Sequence, residues 1–438
     1  MIPDKNRTVI YWFRRDLRLN DNNALSKALS IGVSVQPVFI FDTQILTKLA
    51  DRDDARVTFI YEQLKALNAS LAKYNGAIAV YHDDPLDAWQ KIIRDFQPEA
   101  VYYNHDYEPY ALERDKKISV FLKTQQIASY SFKDQVIFEK DDLLKIDGGP
   151  YTVFTPYKNK WIERLTNDDL KDYKVTEQLK NIHPFARQLP NLSALGFTPT
   201  KQKFPNKEHK SVIVDYHDTR NFPALEEGTS HLSVHLRFGT ISVRELMRDA
   251  IQLKDKTWLT ELIWREFYMM ILWHFPHTTD HAFKSAYDRI AWRNNEQEFE
   301  AWCRGETGYP LVDAGMRQLN KTGFMHNRVR MVVASFLCKH LLIDWRWGEA
   351  YFARKLQDYE QSSNVGNWQW AAGCGNDAAP YFRIFNPELQ LKKFDPDLVY
   401  MKRWVPEFND PFRYPMPIVE HKKARERALK VYKNALKN

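Results

Sequence analysis

Polar residues recur at helical spacing in an apolar stretch of the chain's second half. Glu261, Trp264 and Arg265 occupy positions i, i+3 and i+4 of the run TWLTELIWREFY, so they share one face of a predicted helix. A plain surface Glu–Arg pair would stabilise that helix by only a few tenths of a kcal/mol. Because the rest of the helix is apolar, the alternative is a polar stripe that lines a cavity, where a carboxylate needs a partner or a ligand.

A second candidate is Arg330, which lies in the apolar run VRMVVASFL. A buried arginine is costly unless a carboxylate meets it, and Asp358 and Glu360 are the candidate partners. Asn327 and Met331 fall on the same helical face as Arg330. The sequence leaves two interpretations open, a structural ion pair and a charged group beside a bound ligand.

Two tryptophans end the polar segment DYEQSSNVGNWQW. If Trp368 and Trp370 are helical, they point about 200° apart around the axis. One of them could face a buried cofactor and the other a surface cavity. The alternative is that both belong to the hydrophobic core.

These candidates must be positioned by two different kinds of fold. Residues 1–135 alternate short apolar runs with helical patterns, which predicts a parallel sheet covered by helices. Residues 136–205 carry recurrent prolines and predict a long linker, and residues 206–438 are helical in pattern. The predicted strands are Val9–Phe13, Val33–Phe41, Ala77–Tyr81, Ala100–Tyr103 and Ser129–Phe132.

The composition limits the class of protein. The net charge of +7 permits an anionic partner without requiring one, and no apolar stretch is long enough for a membrane helix. The three cysteines are far apart and match no metal-binding spacing. We therefore expect a cytoplasmic protein with reduced cysteines, no metal and no membrane association.

Long stretches of the chain resemble the photolyase/cryptochrome family, most closely the class I cyclobutane pyrimidine dimer photolyases. The runs that carry the resemblance include YWFRRDLRLNDNNAL, EGTSHLSVHLRFG, ELIWREFY, GYPLVDAGMRQLNKTGFMHNRVRMVVASFL and NVGNWQWAAGCGNDAAPYFRIFNP. The resemblance begins at residue 8 and extends to PIVEHKKAR near the carboxyl terminus. It implies an α/β domain, a long linker and a helical domain that holds FAD, which is active in its reduced form.

The resemblance also implies which residues hold the cofactor. Asn364 corresponds to the residue that faces flavin N5, where an amide is compatible with the reduced anion FADH⁻. Arg330 and Asp358 correspond to a buried ion pair beside the flavin. The complete implied set is Tyr216, Thr229, Ser230, Leu232, Ser233, Trp258, Glu261, Arg265, Arg330, Asp358, Glu360 and Asn364.

For the substrate, the resemblance implies damaged DNA whose pyrimidine dimer is flipped toward the flavin. Trp264 and Trp370 would pack against the dimer and Glu261 would hydrogen-bond a thymine edge. Asn327 and Met331 would line the same pocket. The phosphate contacts implied at its rim are Arg328 and Arg383.

A chain of three tryptophans is implied as well. Trp368, Trp345 and Trp292 correspond to the residues that reduce an oxidised flavin by light, with Trp292 at the surface end. Excited FADH⁻ would then pass an electron to the dimer and recover it after the ring opens. We expect the protein to act as a monomer.

Three alternatives within the family stay open. A cryptochrome-type light receptor shares the fold, but Trp264, Met331 and Trp370 and the lack of a long carboxyl-terminal tail favour repair. The (6–4) branch has histidines at the positions of Asn327 and Met331. A DASH-type photolyase is the third alternative, because DYEQSSNVGNW resembles that branch.

An antenna chromophore in the amino-terminal domain is expected from some relatives, but its identity is undecided. Tyr110 and Ala111 stand where a folate-binding relative would show an Asn-Glu pair. We therefore expect that methenyltetrahydrofolate does not bind tightly.

Overall fold

The computed structural model describes residues 4–437, and the chain forms two compact units from discontinuous segments. The predicted boundaries near 135 and 205 do not coincide with those of the units. The antenna, linker and catalytic roles given to the three stretches stay predictions. The first unit comprises Met1–Asp142, Trp161–Lys207 and Leu232–Lys254, and the second Leu143–Lys160, Glu208–His231 and Asp255–Asn438.

The first unit contains a five-stranded parallel sheet with the order β3-β2-β1-β4-β5, so the predicted parallel sheet is confirmed. All ten residues of β2 are buried, as expected for a strand that is covered on both faces. Each predicted apolar run forms a strand, with ends shifted by a few residues. The strands are β1 Asp4–Phe13, β2 Val33–Asp42, β3 Ala79–Asp83, β4 Ala100–Asn104 and β5 Ala128–Phe132.

Helices accompany the strands in the same unit. Ser242 caps the last of them, since its hydroxyl accepts a hydrogen bond from Arg244 N at 3.2 Å, as the sequence SVRE predicts. The helices are α1 Asn23–Ser30, α2 Thr43–Leu46, α3 Ala55–Leu71, α4 Pro85–Phe96, α5 Pro109–Thr124, α9 Ser233–Arg237 and α10 Val243–Gln252.

The proline-rich stretch between residues 136 and 205 contains one α-helix, α6 Phe154–Arg164. Its other helices are 3₁₀ segments of three to six residues, which suits a chain interrupted by proline. The 3₁₀ segments of the described chain are Ala72–Tyr74, Asp168–Leu170, Thr176–Asn181, Leu192–Leu195, Glu226–Gly228, Pro276–Thr279 and Ser285–Arg289.

The second unit is helical, and its core is formed by buried residues between positions 282 and 405. The polar stripe of Glu261, Trp264 and Arg265 lies on α11. The helices of this unit are α7 Lys210–Val214, α8 Tyr216–Thr219, α11 Thr257–His274, α12 Glu296–Arg304, α13 Pro310–Thr322, α14 Asn327–Ser335, α15 Trp345–Lys355, α16 Gln361–Ala372, α17 Pro387–Phe394, α18 Val399–Trp404 and α19 His421–Leu436.

The apolar pattern of residues 325–342 predicts one continuous α-helix, and this prediction is wrong at both ends. The α-helix begins at Asn327 because His326 is its N-cap, and after Ser335 the chain continues as a π-helical segment, Phe336–Leu341. That segment buries Lys339, whose Nζ donates to the carbonyl oxygens of Ala372 and Tyr381 at 2.8 and 3.3 Å. Burial of an ammonium requires such acceptors.

No helix of residues 4–437 is long and apolar enough to cross a lipid bilayer. Within the same range, no group of three or more histidine, cysteine, aspartate or glutamate side chains is arranged to hold a metal ion. The three cysteines are free thiols.

Candidate cofactor site

A cavity of about 570 Å³, part of it open to solvent, lies in the helical unit. The α14, α15 and α16 helices and the segment before α16 supply its walls. The lining residues are Asn327, Arg330, Met331, Ala334, Phe352, Leu356, Asp358, Tyr359, Glu360, Ser363, Asn364, Asn367, Trp368 and Trp370. Eight of the sequence-predicted site residues are therefore brought together here.

A buried ion pair forms part of the cavity wall. Arg330 Nη2 donates to Asp358 Oδ2 at 2.8 Å, and the Asp358 side chain is only 5% exposed. Arg330 Nε also donates to the Met325 carbonyl oxygen at 2.7 Å. The other carboxylate oxygen, Asp358 Oδ1, is buried without a hydrogen-bond partner among the described residues. Such an atom needs a donor, and Asp358 is one of the residues that line the cavity.

The two acidic candidates for Arg330 are divided between two arginines. Glu360 Oε1 accepts from Arg265 Nη2 at 3.1 Å, and both side chains are largely buried. Glu261, on the same face of α11 as Arg265, pairs with Arg220 through a 2.5 Å contact between Arg220 Nη1 and Glu261 Oε1. The interpretation of Glu261 and Arg265 as a surface ion pair within one helix is therefore wrong. Each of the two residues pairs with a residue on another segment.

Asn364 is fixed by hydrogen bonds to Glu349 on α15. Asn364 Nδ2 donates to Glu349 Oε1 at 2.9 Å and to the Glu349 carbonyl oxygen at 3.2 Å. Tyr359 also donates to Glu349 Oε1, at 3.3 Å. Burial raises the pKa of Glu349 above its ordinary value, although the hydrogen bonds from Asn364 and Tyr359 oppose that shift.

Close packing of α15 against α16 makes this contact feasible. Gly348, the residue before Glu349, lies directly under the indole of Trp368, and a Cβ atom at Gly348 would overlap that ring and lie 2.6 Å from Leu337 Cδ2. Glycine therefore permits the close approach of the two helices. Trp345 and Glu349 are one helical turn apart on α15, as are Asn364 and Trp368 on α16.

The two tryptophans expected at the dimer have different surroundings. Trp264 stacks on Phe154 with ring centroids 3.6 Å apart and planes 8° from parallel, so one face of its indole is already covered. Trp370 lines the cavity and is partly buried, whereas Trp368 is only 2% exposed. Trp368 and Trp370 both line this one cavity, so the expectation that they face different sites on opposite sides of the helix stays a prediction.

The three tryptophans of the expected chain lie in one region of the helical unit. Trp345 and Trp368 are each 2% exposed and belong to its core, and Trp292 is partly buried against that core. Trp292 also meets Tyr432 edge to face, with ring centroids 5.9 Å apart. Their role in electron transfer stays a prediction.

Six of the implied cofactor residues, of which the resemblance assigns the first five to the FAD phosphates and ribityl chain, are not part of the cavity lining: Tyr216, Thr229, Ser230, Leu232, Ser233 and Trp258. Thr229 and Ser230 follow the 3₁₀ segment Glu226–Gly228 in the helical unit, and Tyr216 begins α8. Leu232 and Ser233 stand at the start of α9, in the first unit. Trp258 is buried on α11, where it stacks on His209 at 5.8 Å between ring centroids.

Three arginines, Arg220, Arg328 and Arg383, lie close to one another in the helical unit, near Glu261. Arg328 donates to Asn221 Oδ1 at 2.6 Å and lies over the ring of Phe394. Burial, Arg220 and Arg383 together lower the pKa of Arg328, which places three guanidinium groups within electrostatic reach of one another. Such a cluster suits an anionic partner.

His326, the N-cap of α14, was not singled out by the sequence. Its Nδ1 accepts from Arg328 N at 3.1 Å, while Nε2 is buried without a partner among the described residues. Burial and the nearby His231 and arginines lower the pKa of His326 to about 3. The imidazole is therefore neutral at physiological pH, with its hydrogen on Nε2.

Sequence reasoning also missed Arg220, Glu349 and Phe154. Two of them carry a signal in the spacing: Arg220 is four residues after Tyr216, and Glu349 is four residues after Trp345. Phe154 carries none, because its contact with Trp264 joins distant parts of the chain.

The fold and the cavity together define a class of protein. A unit with a five-stranded parallel sheet accompanies a helical unit, whose cavity offers a buried ion pair, an unsatisfied carboxylate oxygen, an oriented amide and indole rings. This combination is a site for a large planar cofactor with polar edges.

Known proteins match this description along the whole chain. Residues 258–412 match the family model described as the FAD binding domain of DNA photolyase, and residues 9–177 match the DNA photolyase model. The deoxyribodipyrimidine photo-lyase of a Synechococcus strain is 38% identical, over 98% of this chain and 97% of its own.

Solved structures agree with the same assignment. A bacterial class III photolyase from Agrobacterium tumefaciens superposes with a TM-score of 0.87 at 36% identity, covering 99% of this chain and 98% of its own. A Synechocystis cryptochrome gives a TM-score of 0.85 at 26% identity, covering 97% and 99%. The chain belongs to the DNA photolyase family, and its helical unit contains the family's FAD-binding domain.

Proposed function

We propose that this protein repairs cyclobutane pyrimidine dimers in DNA with light, using FAD held in the cavity of the helical unit. The observation that carries the proposal is the unsatisfied Asp358 Oδ1 beside the buried Arg330–Asp358 pair, in a chain of the photolyase family. When bound, reduced FAD supplies the light-excited electron that opens the dimer.

The residues present fit the flavin. Asp358 Oδ1 is an acceptor for a ring N–H group, and Arg330 is a cation beside a cofactor that is anionic when reduced. Asn364 supplies an uncharged amide at the position assigned to flavin N5. Thr229 and Ser230 supply hydroxyl groups for the phosphate and ribityl portion, with Tyr216, Leu232, Ser233, Trp258, Glu261, Arg265 and Glu360 completing the proposed cofactor set.

The dimer must leave the DNA stack to reach this cavity, and photolyases are a known case of such base flipping. We assign Trp370 and Trp264 to packing against the extruded bases. Glu261, fixed by its ion pair with Arg220, accepts a hydrogen bond from a thymine N–H group. Asn327 and Met331 line the pocket beside them.

Cations on the same unit position the DNA strand. Arg328 and Arg383 are assigned to phosphate contacts, which orient the backbone without reading the sequence. Arg328 is already anchored by Asn221 and Phe394, so little side-chain freedom is lost when it meets a phosphate. Arg383 is exposed to solvent, and its guanidinium group lies over the ring of Phe385.

We assign Trp368, Trp345 and Trp292 to light-driven reduction of oxidised FAD. Trp368 is the member that lines the cavity, so it is the donor next to the cofactor. Replacing Trp368 with phenylalanine should abolish photoreduction of oxidised FAD while leaving repair by chemically reduced enzyme intact. Loss of both activities would contradict the assignment.

The finer proposals concern lesion, assembly and location. Asn327 and Met331 favour cyclobutane dimers over (6–4) lesions, since the latter reaction needs a proton-transfer group. We propose that the protein is a cytoplasmic monomer.

An antenna chromophore bound to the first unit is a further proposal. We expect that methenyltetrahydrofolate does not bind tightly there. A folate-like absorption band in the purified protein would refute this expectation.

The test is repair of a defined oligonucleotide that carries either a cyclobutane dimer or a (6–4) lesion. We expect blue light to restore the first and leave the second unchanged. Glu261→Ala should lower the repair yield more than the FAD content, whereas an equal loss would make Glu261 structural. Absence of repair in protein that holds reduced FAD would favour a cryptochrome-type receptor. Repair confined to single-stranded DNA would favour a DASH-type enzyme.

A further inference from the structure

The side chain of Asn364 has both of its amide hydrogens committed to one residue. Asn364 Nδ2 donates to Glu349 Oε1 at 2.9 Å and to the Glu349 carbonyl oxygen at 3.2 Å. An amide nitrogen offers two hydrogens and no acceptor, so neither is left for another partner. The opposite end of the amide, Oδ1, is therefore the end that Asn364 offers to the cavity it lines.

Glu349 makes the reverse orientation unfavourable. Rotating the amide by half a turn would set Asn364 Oδ1 against two oxygen atoms that give it no hydrogen. Tyr359 already donates to Glu349 Oε1 at 3.3 Å, so a proton taken up by this carboxyl group would reside on Oε2. The acceptor that holds Asn364 is thus kept in either protonation state.

The backbone supports this arrangement from both sides. Glu349 follows Gly348, whose lack of a side chain lets α15 approach the Trp368 ring on α16. Asn364 lies one turn before Trp368 on the same helix, and both line the cavity. The hydrogen bonds between Glu349 and Asn364 therefore bridge two packed helices rather than two mobile segments.

We propose that Glu349 is a positioning residue that fixes the oxygen of the Asn364 amide toward the cofactor, so that the site favours reduced over oxidised FAD. The inference rests on the proposed function, which places flavin N5 beside Asn364. Reduction of FAD to FADH⁻ adds two electrons and one proton, and it converts N5 from an acceptor into an N–H donor. A fixed oxygen accepts from that donor and repels the oxidised form.

The test compares Glu349→Leu with the matched variant Glu349→Gln by redox titration of the bound FAD. Leucine removes the acceptor and frees the amide, so the ratio of reduced to oxidised FAD at a given potential should fall about tenfold, a shift of about 30 mV for a two-electron couple. Glutamine keeps a carbonyl oxygen for Asn364, so its ratio should stay within about twofold of the unchanged protein.

Each other outcome overturns the inference. An unchanged potential in Glu349→Leu would show that Asn364 is oriented without Glu349. A shift as large in Glu349→Gln would assign the effect to charge. If Glu349→Leu and a second apolar variant, Glu349→Met, both lost FAD while Glu349→Gln retained it, Glu349 would be purely structural. Failure of the unchanged protein to bind FAD would instead refute the proposed function.

Discussion

The buried pair of Arg330 and Asp358 allows a quantitative prediction for Asp358→Asn. At 2.8 Å between Arg330 Nη2 and Asp358 Oδ2, an effective dielectric constant of about 20 gives a gross attraction of roughly 6 kcal/mol. Desolvation offsets much of this, and breaking a fully buried pair by removing one partner costs about 3–5 kcal/mol. Arg330 is 25% exposed and keeps its bond to the Met325 carbonyl oxygen. We therefore expect a loss of about 2–3 kcal/mol in the free energy of unfolding.

The assay is urea unfolding of FAD-free protein, so that loss of the cofactor does not add to the loss of the ion pair. The matched control is Glu99→Gln, which breaks the exposed pair between Arg7 and Glu99, whose side chains are 56% and 45% exposed. That change should cost less than about 1 kcal/mol. Equal, small losses of unfolding free energy for Asp358→Asn and Glu99→Gln would refute the reasoning. They would show that burial does not increase the contribution of an ion pair to stability.

Three further predictions concern packing, pH and DNA. Gly348→Ala should destabilise the helical unit by about 1–3 kcal/mol and impair photoreduction, because its Cβ would overlap the Trp368 ring; unchanged urea unfolding and photoreduction would contradict this. His326 has its pKa lowered to about 3, so the unfolded chain binds a proton below about pH 6.5 that the folded chain does not, and stability falls as the pH falls. His326→Asn keeps an N-cap oxygen and should remove about 2 kcal/mol of the stability loss between about pH 7 and pH 5, whereas an identical pH profile would show that His326 is not the titrating group. Arg383→Gln should weaken binding to dimer-containing DNA and reduce its salt dependence by about one counterion, and an unchanged slope would place Arg383 outside the interface.

The sequence was most informative where a residue type had only one physical solution. Apolar runs that alternate with helical patterns formed the parallel sheet, because a strand covered on both faces must be apolar throughout. Arg330 in an apolar helix required a carboxylate, and it has one. The residue pattern alone could not choose between Asp358 and Glu360, since the two have the same chemistry and lie two residues apart, and only the family resemblance pointed to Asp358.

Contacts between distant segments were beyond sequence reasoning. Nothing local links Arg220 to Glu261 or Phe154 to Trp264, because each contact depends on how separate helices pack. The π-helical segment after Ser335 was missed for a related reason: Lys339 takes its acceptors from residues 372 and 381. Glu349 could have been proposed as a site residue from the sequence, since it lies four residues from Trp345, just as Asn364 lies four residues from Trp368.

The most direct test of the central claim is repair by the purified protein carrying reduced FAD. The protein is mixed with an oligonucleotide that contains a single cyclobutane thymine dimer, and intact thymines are measured after exposure to blue light or darkness. We predict that thymines are restored under blue light, many per protein molecule, and that none are restored in darkness. Unrepaired dimers after illumination of protein that holds reduced FAD and binds the DNA would contradict the account.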